Sequence, residues 1–130
     1  MISDEATSWH VDSHRVLATG GISGYVSDVV RTPDGELIDR QYMTHPGAVA
    51  VVAWDEEQDV IAVLRQYRHP VLMELVEIPA GLLDKDSEAW VDAARRELAE
   101  EVELAAENWH VLVDICTTPG ASQESLRIYL

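Results

Sequence analysis

The stretch Gly81–Leu104, GLLDKDSEAWVDAARRELAEEVEL, decides how this chain folds. It opens on a glycine turn, continues as a helix and gathers acidic residues in the helix's C-terminal half. With Glu97 set to zero and about 100° per residue, Glu101 falls at about 40° and Glu100 at about −60°. Val91, Ala94, Leu98 and Val102 fall between about 60° and 140°, an apolar stripe beside the acidic arc. The pattern predicts a helix that buries one face on a sheet and carries three carboxylates on the next. Like charges so spaced repel by roughly 0.2–0.5 kcal/mol per pair. Pairing of Arg96 with Glu100 and Asp92 relieves part of this, and a hard divalent cation with oxygen ligands would relieve the rest. From the helix alone, a solvated acidic face is the commoner reading. The glycine turn upstream and the spacing shift the balance toward a metal site. The helix is expected to start near Ser87, with Asp84, Asp86 or Ser87 capping its free N–H groups.

Outward from the helix the chain reads as strands. A weak pattern places one within Val11–Leu17, and Tyr25–Val30 forms another. Thr32-Pro33-Asp34-Gly35 is a turn, with Pro33 fixing φ and Gly35 free to take a positive one. Leu37–Thr44 returns as the hairpin partner. The apolar run Ala48–Trp54 predicts a strand covered on both faces, and Val60–Leu64 a second buried strand. Glu74–Ile78 is a short strand that Pro79-Ala80-Gly81 ends. Val111–Ile115 and Leu126–Leu130 complete the set. Many strands with one clear helix predict an α/β or α+β architecture, as a single domain over residues 1–130. Within it, an N-terminal hairpin region covers about residues 10–45 and the core about 46–130.

Composition narrows the function classes. The 130 residues hold 9 Lys and Arg against 24 Asp and Glu, a formal charge of −15. Such a chain does not coat nucleic acid, which needs cations against phosphate. It still binds a phosphorylated small molecule if metal ions invert the local field. No apolar run approaches the roughly 20 residues of a membrane helix. The N-terminus, MISDEATSWH, is too acidic for a targeting leader. Cys116 is the single cysteine, so an intrachain disulfide is impossible and a reducing cytoplasm is the expected location. His10 and His14 stand four apart with no third ligand and read as ordinary residues. Trp54, Trp90 and Trp109 read as core or interface. No G-x-S-x-G elbow, C-x-x-C pair or Walker loop occurs.

The run Gly81-x6-Glu88-x7-Arg96-Glu97-Leu98-x-Glu100-Glu101-Val102-Glu103-Leu104 resembles the Nudix box of Nudix hydrolases, G-x5-E-x7-R-E-U-x-E-E-x-G-U, U being bulky and aliphatic. Two departures stand out. The first interval is one residue longer, and Glu103 replaces the final glycine, so that the helix is expected to run on to Ala106. The flanking segments Glu77-Ile78-Pro79-Ala80-Gly81-Leu82-Leu83-Asp84, Arg65-Gln66-Tyr67-Arg68, His45-Pro46-Gly47-Ala48-Val49 and Thr118-Pro119-Gly120-x-Ser122-x-Glu124-Ser125 are similar to the ADP-ribose pyrophosphatase branch. There a phenylalanine is common where Ala121 stands.

The resemblance implies the Nudix fold, a mixed β-sheet sandwich with a loop–helix–loop catalytic motif. It implies that Glu97, Glu100 and Glu101, with the backbone carbonyl of Ala80, hold Mg²⁺ or Mn²⁺. Arg96 and Glu88 would orient those ligands beside Gly81. Arg68 matches an arginine that contacts substrate phosphate, and Arg40 one that reaches the neighbouring subunit's site in homodimers. The implied reaction is metal-dependent hydrolysis of ADP-ribose, or of a related nucleoside diphosphate sugar, to AMP and ribose 5-phosphate. The resemblance also places a general base and closing elements C-terminal to Leu130, so the chain is expected to lack them. That keeps a second reading open: a catalytically silent fold that binds a nucleotide or a protein partner.

Overall fold

The computed structural model describes residues 2–130. They divide into two compact units, one running up to His45 and including Thr118–Gln123, the other comprising Pro46–Thr117 and Glu124–Leu130.

The first unit is a three-stranded antiparallel sheet of β1 (His10–Thr19), β2 (Gly24–Arg31) and β3 (Leu37–Met43), with β2 in the middle. β1 is longer than its weak pattern predicts, and it carries irregularities between Val11 and Ser13 and between Val16 and Ala18. These interrupt the alternation that would have marked it as a strand. The predicted turn joins β2 to β3: Gly35 takes φ +92°, and its N–H donates to the Thr32 carbonyl at 2.9 Å. Val26, Ser27 and Asp28 on the middle strand are buried. The Asp28 carboxylate spans the sheet, lying 2.5 Å from His14 Nδ1 on β1 and accepting the Tyr42 hydroxyl of β3 at 2.8 Å. The Met43 N–H donates to the Ala121 carbonyl, and the Gln123 N–H donates to the Met43 carbonyl.

The second unit contains a four-stranded sheet ordered β10-β11-β4-β9, formed by β4 (Ala48–Val51), β9 (Ala80–Leu82), β10 (Val111–Cys116) and β11 (Ser125–Tyr129). β11 runs parallel to β4, while the other pairs are antiparallel. Helix α1 (Trp90–Val102) packs on this sheet. Val49, Val51, Ala93, Ala94, Leu98 and Tyr129 form the core, with Ala53, Leu83, Val91, Val102 and Trp109 around it. Leu98 is fully buried, a contribution of about 1.5–3 kcal/mol. Two ribbons complete the unit: β5 (Trp54–Asp55) with β6 (Val60–Ile61), and β7 (Leu64–Arg68) with β8 (Met73–Glu77). No helix among the described residues is long and apolar enough to cross a membrane.

Several expectations need correction. The run Ala48–Trp54 is buried only through Val51. Trp54 and Asp55 leave the sheet for a ribbon turned by Asp55, whose carboxylate accepts the N–H groups of Glu57 and Gln58. Val60–Leu64 is not one buried strand. It splits between two ribbons, and Val60 and Ile61 remain 53% and 47% exposed. A short apolar run does not reveal whether a second layer covers it. Arg65–Arg68, just past the end of the expected Val60–Leu64 strand, lies in β7. The short strand stops at Glu77, before Pro79 as expected, but Ala80 and Gly81 open a new strand, β9, in the four-stranded sheet.

The helix starts at Trp90, after Ala89, and no side chain caps it. Asp84, Asp86 and Ser87 lie in the turn before it, where Ser87 takes φ +64°. The helix stops at Val102 rather than running to Ala106. Glu103 adopts the left-handed conformation, φ +56°, and its N–H donates to the Ala99 carbonyl at 3.2 Å. The backbone thus performs the stop that glycine usually makes.

Two outcomes follow. Glu103→Gly relieves a left-handed non-glycine residue and removes a negative charge from a helix C-terminus. It stabilises the protein by about 1 kcal/mol in chemical denaturation; an unchanged midpoint would contradict the strained cap. The second concerns Asp28, whose carboxyl lies below its ordinary value of 3.8 because of the His14 and Tyr42 hydrogen bonds. A lowered pKa contributes stability that is present above the unfolded value and lost as pH falls through the folded one. Asp28→Asn is therefore less stable than wild type near neutrality by about 1–3 kcal/mol, and the gap narrows below about pH 4. A gap constant with pH would show the carboxylate's charge to be idle.

Candidate functional site

The acidic arc of α1 faces β9. Gly81 lies so close to the helix that a methyl group added at its Cα would meet Glu97 Cδ at 1.9 Å and Cγ at 2.4 Å. Glycine is needed here for close approach rather than for an unusual φ. The Glu97 carboxyl sits in that notch. Burial pushes its pKa up, the Arg96 guanidinium pulls it down, and the charges of Glu100 and Glu101 raise it again. Its carboxylate is therefore short of compensating charge.

Arg96 is the clasp of the site. Its Nε donates to Glu88 Oε1 at 3.1 Å and its Nη2 to Glu88 Oε2 at 3.0 Å, a bidentate pair. Its Nη1 donates to Glu97 Oε1 and lies 3.6 Å from Glu100 Oε2. These partners push the guanidinium pKa up, the Glu88 hydrogen bond most strongly, and Arg96 in turn lowers that of Glu88. The clasp ties the turn before the helix to the middle of the helix. The expected Asp92–Arg96 pair is not formed, because Asp92 accepts from Arg95 at 2.9 Å.

Glu101 reaches β9, where its Oε2 accepts the Ala80 N–H at 2.9 Å. The Val51 N–H donates to the Pro79 carbonyl and the Leu83 N–H to the Gly47 carbonyl. In an antiparallel ladder that alternation points Ala80's own N–H and C=O away from β4. The Ala80 carbonyl therefore lies on the strand edge that Glu101 approaches. Glu100 is exposed, with its side chain 61% accessible. Glu97, Glu101, Ala80 and Gly81 are thus brought together, with Glu100 at the rim. Among the described residues no three His, Cys, Asp or Glu side chains converge as a ready-made metal cage. Arg96 and the Ala80 N–H engage the carboxylates instead.

Arg68 ends β7 and is paired with Glu77 at the end of β8. Its Nε donates to Glu77 Oε1 at 2.9 Å and its Nη2 to Oε2 at 2.5 Å. The Glu77 hydrogen bond raises the Arg68 pKa, and the charge of Glu101 adds to it. Nothing in the linear pattern pairs these two residues, and sequence reasoning gives Glu77 no role. Arg40 stands on β3 opposite Asp28 in the other unit, exposed, its Nη1 donating to the Asp39 carbonyl at 3.0 Å. Trp90 lies under the Arg127 guanidinium, 4.5 Å from its ring centre, and Trp109 packs edge-on against Tyr129. A hollow of about 270 Å³ is lined by Val51, Trp54, Ala106 and Trp109 among others, and by none of the arc carboxylates.

Residues 43–128 match the NUDIX domain. The ADP-ribose pyrophosphatase of Mycobacterium tuberculosis (strain ATCC 25618 / H37Rv) is 48% identical over 118 residues, 91% of this chain and 56% of that protein. The methanol dehydrogenase activator of Bacillus methanolicus is 40% identical over 103 residues, 79% of this chain and 55% of that protein. The ADP-ribose pyrophosphatase of Bacillus subtilis (strain 168) is 40% identical over 106 residues, 82% and 56% respectively. The chain spans little more than half the length of these curated relatives. Its glycine notch, Glu88–Arg96 clasp and carboxylate arc all lie inside the matched span, and the chain belongs to the Nudix family.

Proposed function

We propose that this chain carries the metal-holding part of an ADP-ribose pyrophosphatase, which hydrolyses ADP-ribose, or a related nucleoside diphosphate sugar, to AMP and ribose 5-phosphate. The observation that carries the reading is the seating of Glu97 in the Gly81 notch beside Glu101 and the edge of Ala80. Its donor chemistry suits a hard cation: carboxylates from Glu97, Glu100 and Glu101 with the Ala80 carbonyl are oxygen ligands for Mg²⁺ or Mn²⁺. When bound, such ions offset charge on the pyrophosphate and lower the pKa of a bound water.

The chain's own residues prepare that chemistry. Glu88 fixes the Arg96 guanidinium, and Arg96 offsets part of the cost of burying Glu97. The Ala80 N–H orients Glu101, leaving its Oε1 without a hydrogen bond among the described residues. Arg68 offers a planar fork to a phosphate. Arg40 serves the substrate across a subunit contact in a homodimer. The cytoplasm, where nucleoside diphosphate sugars arise, is the setting this reading assigns.

A second reading draws on the relative named methanol dehydrogenase activator: the chain acts on a partner protein and turnover is secondary. One assay separates the two. AMP release from ADP-ribose is measured with Mg²⁺ and with excess EDTA, for wild type and Glu101→Gln. The hydrolase reading predicts metal-dependent release that Glu101→Gln lowers by about 10²-fold in kcat/KM. Release that persists in EDTA, or a Glu101→Gln variant as active as wild type, would defeat it. Nucleotide binding with no release would favour the second reading.

A further inference from the structure

The pair formed by Arg68 and Glu77 lies along a hairpin rather than across it. In the register of β7 and β8, Arg68 stands opposite Met73 and Glu77 opposite Leu64, at opposite ends of the ribbon. The same face carries Gln66 and Leu75 between them. The Arg68 side chain runs back past that middle pair to reach Glu77, and its guanidinium comes to lie where strand β8 leads into Pro79 and Ala80. There it feels the charge of Glu101, although Arg68 begins at the far end of the hairpin.

The bonding pattern also leaves a free side. A guanidinium has five N–H donors. Glu77 takes Nε and one hydrogen of Nη2, and it is the only hydrogen-bond acceptor for Arg68 among the described residues. Both Nη1 hydrogens and the second on Nη2 remain. Those groups form the end-on fork, whose geometry matches two oxygens of one phosphate.

Resting on the pyrophosphatase reading, we propose that Glu77 is a positioning residue that carries the Arg68 fork to the phosphate beside the Glu101 edge. Glu77 does not touch the substrate; it acts through Arg68. A plain surface ion pair would leave substrate binding unmoved when broken.

The test measures steady-state hydrolysis of ADP-ribose with Mg²⁺ and the NMR resonance of the Arg68 Nε–H, with circular dichroism confirming folding. Glu77→Gln raises KM about tenfold and changes kcat less than about threefold, and Glu77→Asp recovers part of the loss. In an Arg68→Gln background, Glu77→Gln adds nothing further. An unchanged KM, a lowered KM, or effects that multiply independently of Arg68 overturn the inference. If the wild type releases no AMP, the pyrophosphatase reading fails, and the resonance decides this inference by itself. ADP-ribose then shifts the Arg68 Nε–H signal in the wild type and not in Glu77→Gln; a wild-type signal that ADP-ribose leaves in place overturns it. Should Glu77→Gln not fold, Glu77→Asp carries the same comparisons.

Discussion

The close approach of the Glu97 carboxylate to the bare Cα of Gly81 is the contact on which the second unit is arranged. A carboxylate of this kind lies under a strand only where no Cβ intervenes, and the residue must be in the helix turn that crosses that strand. The same crossing buries Ala93, Ala94 and Leu98 against Val49 and Val51. The core and the acidic notch are therefore two faces of one helix placement. Shifting the helix by one residue would turn the stripe by about 100° and take both away together.

Burying acidic groups this way is costly unless charge comes to meet them. Arg96 provides most of the response within the protein, contacting Glu88, Glu97 and Glu100. One guanidinium against three carboxylates leaves a negative excess, and Glu101 adds to it. Burial is the largest influence on the Glu97 pKa and raises it against Arg96, and the charges of Glu100 and Glu101 raise it further. The negative excess is the electrostatic reason for reading the arc as a cation site in a chain whose net charge is −15.

Much of this was legible in the linear sequence where periodicity or a turn signal is strong. The wheel placed Ala94 and Leu98 on the buried stripe, and the Thr32–Gly35 turn joins the strands it predicts. Legibility failed where tertiary neighbours decide. Ala93 lies on the acidic side of the wheel at about −40° and is nonetheless buried, because Glu97, one turn further on, is seated against Gly81 of the sheet. The strand Ala80–Leu82 follows a proline and contains the notch glycine, both of which read as punctuation. Asp84, Asp86 and Ser87 looked like caps, but Glu88 is committed to Arg96 and the turn delays the helix to Trp90. At the candidate site, the spacing alone set Glu97, Glu100 and Glu101 on one arc. The Glu77–Arg68 pair was invisible because it depends on a hairpin register and on a side chain running along it.

The most direct measurement is Mn²⁺ affinity, read from the electron paramagnetic resonance of free ion, for wild type and Gly81→Ala. If the notch seats Glu97 as a cation ligand, the added methyl displaces the carboxylate. Saturable binding in the wild type then weakens about tenfold or more in a variant that circular dichroism shows to be folded. Equal affinities in the two proteins would contradict the account.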